Sequence, residues 1–193
     1  MELLKQLLNE MPQQISLLNN AEVDQLVSFC RVNLHLAKNV TMFHSTKIMR
    51  IDINSTTGVY FQLDVDKICY VCKFSKVQQH ESLIPQGYAG RQVLIKKFNN
   101  TQKTGVAKFI FWELLMPEFG CMVSDFQQTE SGRGFWEYRI DEALEKGFVV
   151  RMLDTNSNTV VVLKTREDFW NLSDQIWDMR SWFTRIILSI AKD

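Results

Sequence analysis

Apolar residues recur at helical spacing at the start of the chain, at every second position through the middle, and in alternating blocks of both kinds after residue 90. Leu3, Leu4, Leu7 and Leu8 form one apolar stripe, which Pro12 interrupts. Asn20 is placed to cap a second helix carrying Val23, Leu26, Val27 and Cys30 at three- and four-residue intervals. About the first 37 residues therefore read as helical, their apolar faces covering one side of a sheet. From Lys47 the period changes to two. KIMRIDI, GVYFQLDV and KICYVCKF each suit a strand, separated by NSTTG and a short Asp-Lys connection, which predicts an antiparallel meander over residues 47 to 74. Gln78 to Gly90 is polar, carries Pro85, Gly87 and Gly90, and reads as a loop. RQVLIKKF follows as a strand.

Beyond it, strands and helices alternate. GVAKFIFWELLMPEF predicts a helix and CMVSDF a short buried strand. GRGFWEYRIDEALEKG predicts an amphipathic helix with Trp136, Ile140, Ala143 and Leu144 on one side and Gly147 at its C-terminal cap. FVVRMLD and TVVVLKT read as strands joined by a turn at Thr155 to Asn158. From Thr165, with Asp168 in capping-box spacing, the pattern predicts a helix to the end of the chain. Phe169, Leu172, Ile176, Phe183, Ile186, Ile187 and Ile190 form its stripe, broadened by Trp170, Trp177 and Trp182. A stripe so wide is expected to bury itself, on its own sheet or as a homodimer contact with a second copy of the chain.

The implied fold class is α/β in the α+β sense: a mixed, mostly antiparallel sheet with one parallel strand pair, flanked by N-terminal and C-terminal helices. With 193 residues and no linker or internal repeat, a single domain is expected. Its parts are N-terminal helices over 1–44, a core over 45–165 and a C-terminal helix over 166–193. Composition narrows the function classes. Lys and Arg number 22, Asp and Glu also 22, so no whole-surface attraction to nucleic acid or anionic membrane is expected. MELLKQLLNEMPQQ lacks the continuous apolar core of a secretion signal, and no stretch is apolar for the length of a membrane span. A cytoplasmic chain with free thiols at Cys30, Cys69, Cys72 and Cys121 is expected. Cys69 and Cys72 lie three apart on a strand, where their side chains point to opposite faces unless a bulge intervenes.

The chemically informative stretch is RQVLIKKFNNTQKTGVAKFIFWELL, which runs strand, polar loop, helix. Its loop ends in Gln102-Lys103-Thr104-Gly105-Val106-Ala107, where the helix begins. Small residues there let an anion approach the backbone, the helix start offers unpaired N–H groups, and Lys103 and Lys108 add charge. Neither a Walker loop nor a GxGxxG fingerprint is present. His35, His44 and His80 are scattered, with no nearby nucleophile motif. Glu137, Asp141, Glu142 and Glu145 read as a solvated helix face.

Gln102, Gly105 and Ala107, between a strand and a helix, resemble the Gln/Arg-x-x-Gly-x-Gly/Ala pyrophosphate loop of the GNAT (GCN5-related N-acetyltransferase) superfamily. The order of elements over residues 45 to 165 is similar to a GNAT core, and the chain resembles the acetyltransferase-like proteins carried by phages and plasmids. The resemblance implies acetyl-CoA as cofactor and direct transfer of its acetyl group to an amine acceptor, a small molecule or a protein. It implies that Leu94, Ile95 and Lys96, at the end of their strand, pair with the pantetheine arm, and that the amides of Gln102 to Ala107 hold the pyrophosphate, with Lys108 beside them. The acetyl group would sit where the strands RQVLIKKF and CMVSDF part. Asp125 is the candidate base and Tyr138 the candidate acid. The alternative is a GNAT-like protein without catalysis that acts by binding a protein partner.

Overall fold

The computed structural model describes residues 20–78, 84, 87–97, 105–124, 130–177 and 186–192. Nine strands form one sheet: β1 Lys38–Phe43, β2 Thr46–Asp52, β3 Thr57–Asp64, β4 Lys67–Val77, β5 Ala89–Lys97, β6 Cys121–Val123, β7 Val149–Asp154, β8 Thr159–Leu163 and β9 Ile186–Ala191. Their order across the sheet is β1-β2-β3-β4-β5-β6-β9-β7-β8. Four helical stretches flank it. These are α1 Asn20–Val32, α2 over 106–119, α3 Glu130–Glu145 and α4 Arg166–Ile176. Within α2 a π turn, Ile110–Leu115, separates two short α-helical turns, Val106–Phe109 and Met116–Phe119.

The meander appears as expected, each of β1 to β5 pairing antiparallel with the next. Its alternation assigns side chains to two cores. Tyr60, Tyr70, Cys72 and Phe74 face one way, into a cluster with α2, α3 and α4. Val59, Phe61 and Val71 face the other way, against Val23, Leu26, Val27 and Cys30 of α1. A bulge falls at Cys69, where Gln62 pairs with Tyr70 and Leu63 with Ile68. All four cysteines are nonetheless buried, and none forms a disulfide. Burial pushes the Cys30 thiol up to about 12.

Two expectations fail. The segment assigned to N-terminal helices over 1–44 contains a strand, β1, because Asn39, Thr41 and Phe43 complete the meander by pairing with β2. The helix expected over 166–193 ends at Ile176, and Ile186–Ala191 forms β9. β9 lies between β6 and β7, antiparallel to both. Leu188 and Ile190 enter the helix-covered core, while Ile187 and Ala191 enter a third cluster on the opposite face with Ile84, Ala89, Cys121, Val123 and Leu153. A strand buried on both faces reads as an unbroken apolar run. Ile186, Ile187 and Ile190 can satisfy a helical period for the same reason, so the pattern did not separate the two states.

The first part of the predicted C-terminal helix is present. Thr165 Oγ1 accepts from the Asp168 backbone N–H at 3.1 Å and Asp168 Oδ2 from the Thr165 N–H at 2.9 Å, completing the capping box. Phe169, Ile176 and Trp177 are buried in the chain's own core rather than left for a second copy. Leu3, Leu4, Leu7, Leu8, Trp182 and Phe183 lie outside the described residues. No helix among the described residues is long and apolar enough to cross a membrane.

β9 is the only described strand between β6 and the β7–β8 hairpin, so its packing is expected to control global stability. Ile190 is fully buried. Ile190→Ala should lower stability by about 2–5 kcal/mol, read as a reduced urea midpoint. The same change at Val162, which is 46% exposed on the edge strand, should alter it by no more than about 0.5 kcal/mol.

Candidate functional site

β5 and β6 are parallel neighbours, as expected for residues 91–98 and 121–126, but they share only two pairs, Gly90↔Met122 and Arg91↔Val123. β6 then ends at Val123 while β5 runs on to Lys97, still paired with β4. The β4–β5 register shifts directly after this point: Phe74 pairs with Gln92 and Lys73 with Leu94, leaving Val93 as the extra residue of a bulge. A bulge bends and twists its strand. This one falls two residues beyond the last described β5–β6 pair. Beyond Arg91 the edge of β5 that includes Leu94, Ile95 and Lys96 has no strand partner on that side among the described residues. Its backbone groups are available to an extended ligand.

The chain next emerges at Gly105, exposed and left-handed (φ 93°), as the N-cap of α2. Glycine adopts this conformation without strain. The Phe109 N–H donates to Gly105 O at 2.9 Å, the first bond of the helix. Helix geometry leaves the N–H groups of Val106, Ala107 and Lys108 without intrahelical partners. The Val106 side chain is buried, so this residue offers only its backbone to a ligand. Gln102, Lys103, Thr104 and Asp125 lie outside the described residues.

α2 is held at both ends. At its far end Glu118 accepts from Arg50 Nη1 at 2.7 Å and Nη2 at 3.1 Å, and from the Tyr60 hydroxyl at 3.1 Å. Arg50 Nε also donates to Asp52 at 2.6 Å. Burial pushes the Asp52 carboxyl up, but the Arg50 hydrogen bond and the charges of Arg50 and Lys38 outweigh it and hold the carboxyl below its ordinary value. Burial and the Glu118 charge push Tyr60 up to about 12. Arg50, Asp52 and Glu118 line a cleft of about 430 Å³ beside Tyr88 and Lys76. Because both carboxylates in it are bound to Arg50, it reads as a latch for the helix.

At the near end the hub is Glu142 of α3. Its carboxylate accepts from Lys108, from Trp112 Nε1 at 2.6 Å, and faces Arg139 Nε at 3.0 Å. Burial would raise this carboxyl, but the Lys108 and Trp112 hydrogen bonds and the charge of Arg139 hold it below its ordinary value. Two cations against one carboxylate leave net positive charge beside the first turn of α2. Lys108 reaches an anion at Gly105 only through space, being committed to Glu142. The expected solvated acidic face of α3 is thus corrected at three positions. Glu142 is the hub, Asp141 pairs with Arg166 at 2.6 Å, and Glu137 accepts from Arg133 Nε at 2.8 Å. The signal was the i, i+3 spacing of Arg139 and Glu142, which a charge count conceals.

Tyr138 is 70% exposed. Trp136 and Ile140, two residues to either side, are buried, and two helical residues subtend about 200°. Tyr138 therefore lies on the outer side of α3, away from the face that packs on the sheet. Among the described residues no group of His, Cys, Asp and Glu could hold a metal ion. No family model, curated protein or solved structure matches the chain.

The Glu142 hub should be visible in acid. Its carboxyl is lowered by folding, so its contribution is complete above the ordinary glutamate value of about 4.3 and is lost as pH falls through the lower folded value. Glu142→Gln should cost roughly 1–3 kcal/mol at pH 7, because Arg139 loses its counter-charge. It should also flatten the acid limb of stability against pH, measured by denaturant titration from pH 7 to pH 3. An unchanged acid limb in the variant would remove Glu142 from this role.

Proposed function

We propose that the chain is an acetyl-CoA-dependent N-acetyltransferase with direct transfer to an amine. The observation that carries the reading is the junction at Arg91–Val123: a parallel pair that parts, a free strand edge beyond it, and an open helix start at Gly105. The residues present suit the cofactor. The edge at Leu94 to Lys96 can pair with the amides of an extended arm, and the N–H groups of Val106 to Lys108, with the helix dipole, suit a pyrophosphate. When bound, acetyl-CoA supplies the acetyl group as a thioester.

The chain's own residues then orient the acceptor and manage its proton. Asp125, immediately after Ser124 beyond the end of β6, is proposed as the base that takes the proton from the attacking amine. The outward position of Tyr138 does not support its role as acid, so the proton for the departing thiolate is assigned to solvent at the parted strands. That same position favours a second reading, a GNAT-like protein without catalysis that binds a protein partner. The two differ in turnover, not in fold.

Gly105 gives the direct test. A Cβ at this position would meet only Phe43 Cζ, at 3.8 Å, so the penalty of a side chain is backbone strain of about 1–2 kcal/mol rather than a clash. By calorimetry, Gly105→Ala should keep acetyl-CoA affinity within a few-fold of the parent. Gly105→Glu, with equal strain but a carboxylate against the phosphates, should lose roughly 100-fold or more, equivalent to about 3 kcal/mol. Equal binding by both variants and the parent would place the cofactor elsewhere. Binding without acetylation of any amine in a lysate, read by mass spectrometry, would favour the non-catalytic reading.

A further inference from the structure

The face of the sheet opposite α2 carries polar groups that the proposed activity does not use. The registers line up one row across five strands: Arg91 on β5, Val123 on β6, Ser189 on β9, Arg151 on β7 and Val162 on β8. Directly paired residues share a face, so these side chains stand in file. Ser189 is completely buried, and its hydroxyl has no hydrogen-bond partner. Arg151 Nη1 is also buried without a partner. Arg91 has other contacts and adds a second guanidinium charge at the far end of the row.

Arg151 and Ser189 are direct cross-strand partners on this face. The Arg151 charge is felt by the Cys121 thiol on β6, which burial pushes up to about 11 and Arg151 draws the other way. No carboxylate on this face of β5, β6, β7, β8 or β9 answers it: Asp154 is the only acid in these strands, and alternation puts it on the other face with Met152. A buried guanidinium nitrogen and a buried hydroxyl, both without partners, are costly unless a further group completes them.

We propose that Arg151 and Ser189, with the charge of Arg91, form a binding site for a small oxyanion, the carboxylate or phosphate group of a ligand. A planar guanidinium offers paired N–H donors to two oxygens of such a group, and the Ser189 hydroxyl donates to one of them. The site lies in the row of the last β5–β6 pair, on the face away from α2. Its existence does not depend on the acetyltransferase reading.

The test uses the full chain at constant ionic strength, with sodium phosphate and sodium acetate as probes and sodium chloride as control. Phosphate, acetate or both should raise the melting temperature saturably, since a ligand that binds only the folded state stabilises it. Binding of phosphate alone marks a phosphate site, and binding of acetate alone a carboxylate site. Arg151→Met keeps the length of the side chain and removes a buried charge, so it should fold and be at least as stable as the parent in chloride. It should lose the saturable shift. Ser189→Ala should weaken binding about fivefold, the worth of one hydrogen bond. Gly105→Glu, which disables the helix start, should leave the shift unchanged. Loss of the shift in Gly105→Glu but not in Arg151→Met would assign the anion to the helix start and overturn the proposal. So would the absence of a saturable shift in the parent, which would mean that water completes these groups.

Discussion

β9 joins two parts of the sheet, β1 to β6 and the β7–β8 hairpin, that share no strand pairing of their own among the described residues. The meander from β1 to β5 reaches β6 through only two residue pairs. β6 is three residues long and cannot by itself support the hairpin of β7 and β8. The last strand of the chain closes this gap by pairing with β6 on one side and along the whole of β7 on the other. Its side chains enter the cores on both faces, and α3 and α4 pack over what it completes. The long separation in sequence between β6 and β9 makes this a costly contact to form early in folding.

The gap at the β5–β6 junction is as much a product of this arrangement as the sheet itself. β4 holds β5 along its length, and the bulge at Val93 falls just beyond the last described pair with β6. α2 then returns across the sheet, fixed by Glu118 on Arg50 at one end and by Glu142 on Lys108 and Trp112 at the other. Charged hydrogen bonds at both ends restrict how α2 can slide, so the N–H groups at Gly105 keep a defined position, with Phe43 of β1 beside them. Preorganised donors bind an anion without the cost of ordering them at the moment of binding. The proposed cofactor site is in this sense made by contacts distant from it.

Buried polar groups are matched only in part. On the side of α2, Glu142 answers Lys108, Trp112 and Arg139, and Gln62 donates to Thr46 Oγ1 at 2.8 Å, while Trp177 Nε1 has no hydrogen-bond partner. On the opposite side Ser189 and Arg151 remain incomplete.

Periodicity alone located the meander, α1, α3, the β7–β8 hairpin and the capping box at Thr165, because each of these is stabilised by neighbours close in sequence and leaves a local pattern. The loop at Gly105 was legible for the same reason: a left-handed glycine before a helix start is a local requirement. What only the tertiary structure decided depends on residues far apart. β1 is a strand because β2 offers it an edge, and Ile186–Ala191 is a strand because β6 and β7 leave a slot of one strand's width. An apolar run of that length satisfies a helix and a doubly buried strand equally, so its state is chosen by the slot and not by the run. The same holds for the site. Glu142 became a hub because α2 brings Lys108 and Trp112 to it, Tyr138 turned outward because Trp136 and Ile140 claim the inner face of α3, and Arg91, Ser189 and Arg151 fell into one row only when the strands that carry them were placed in register.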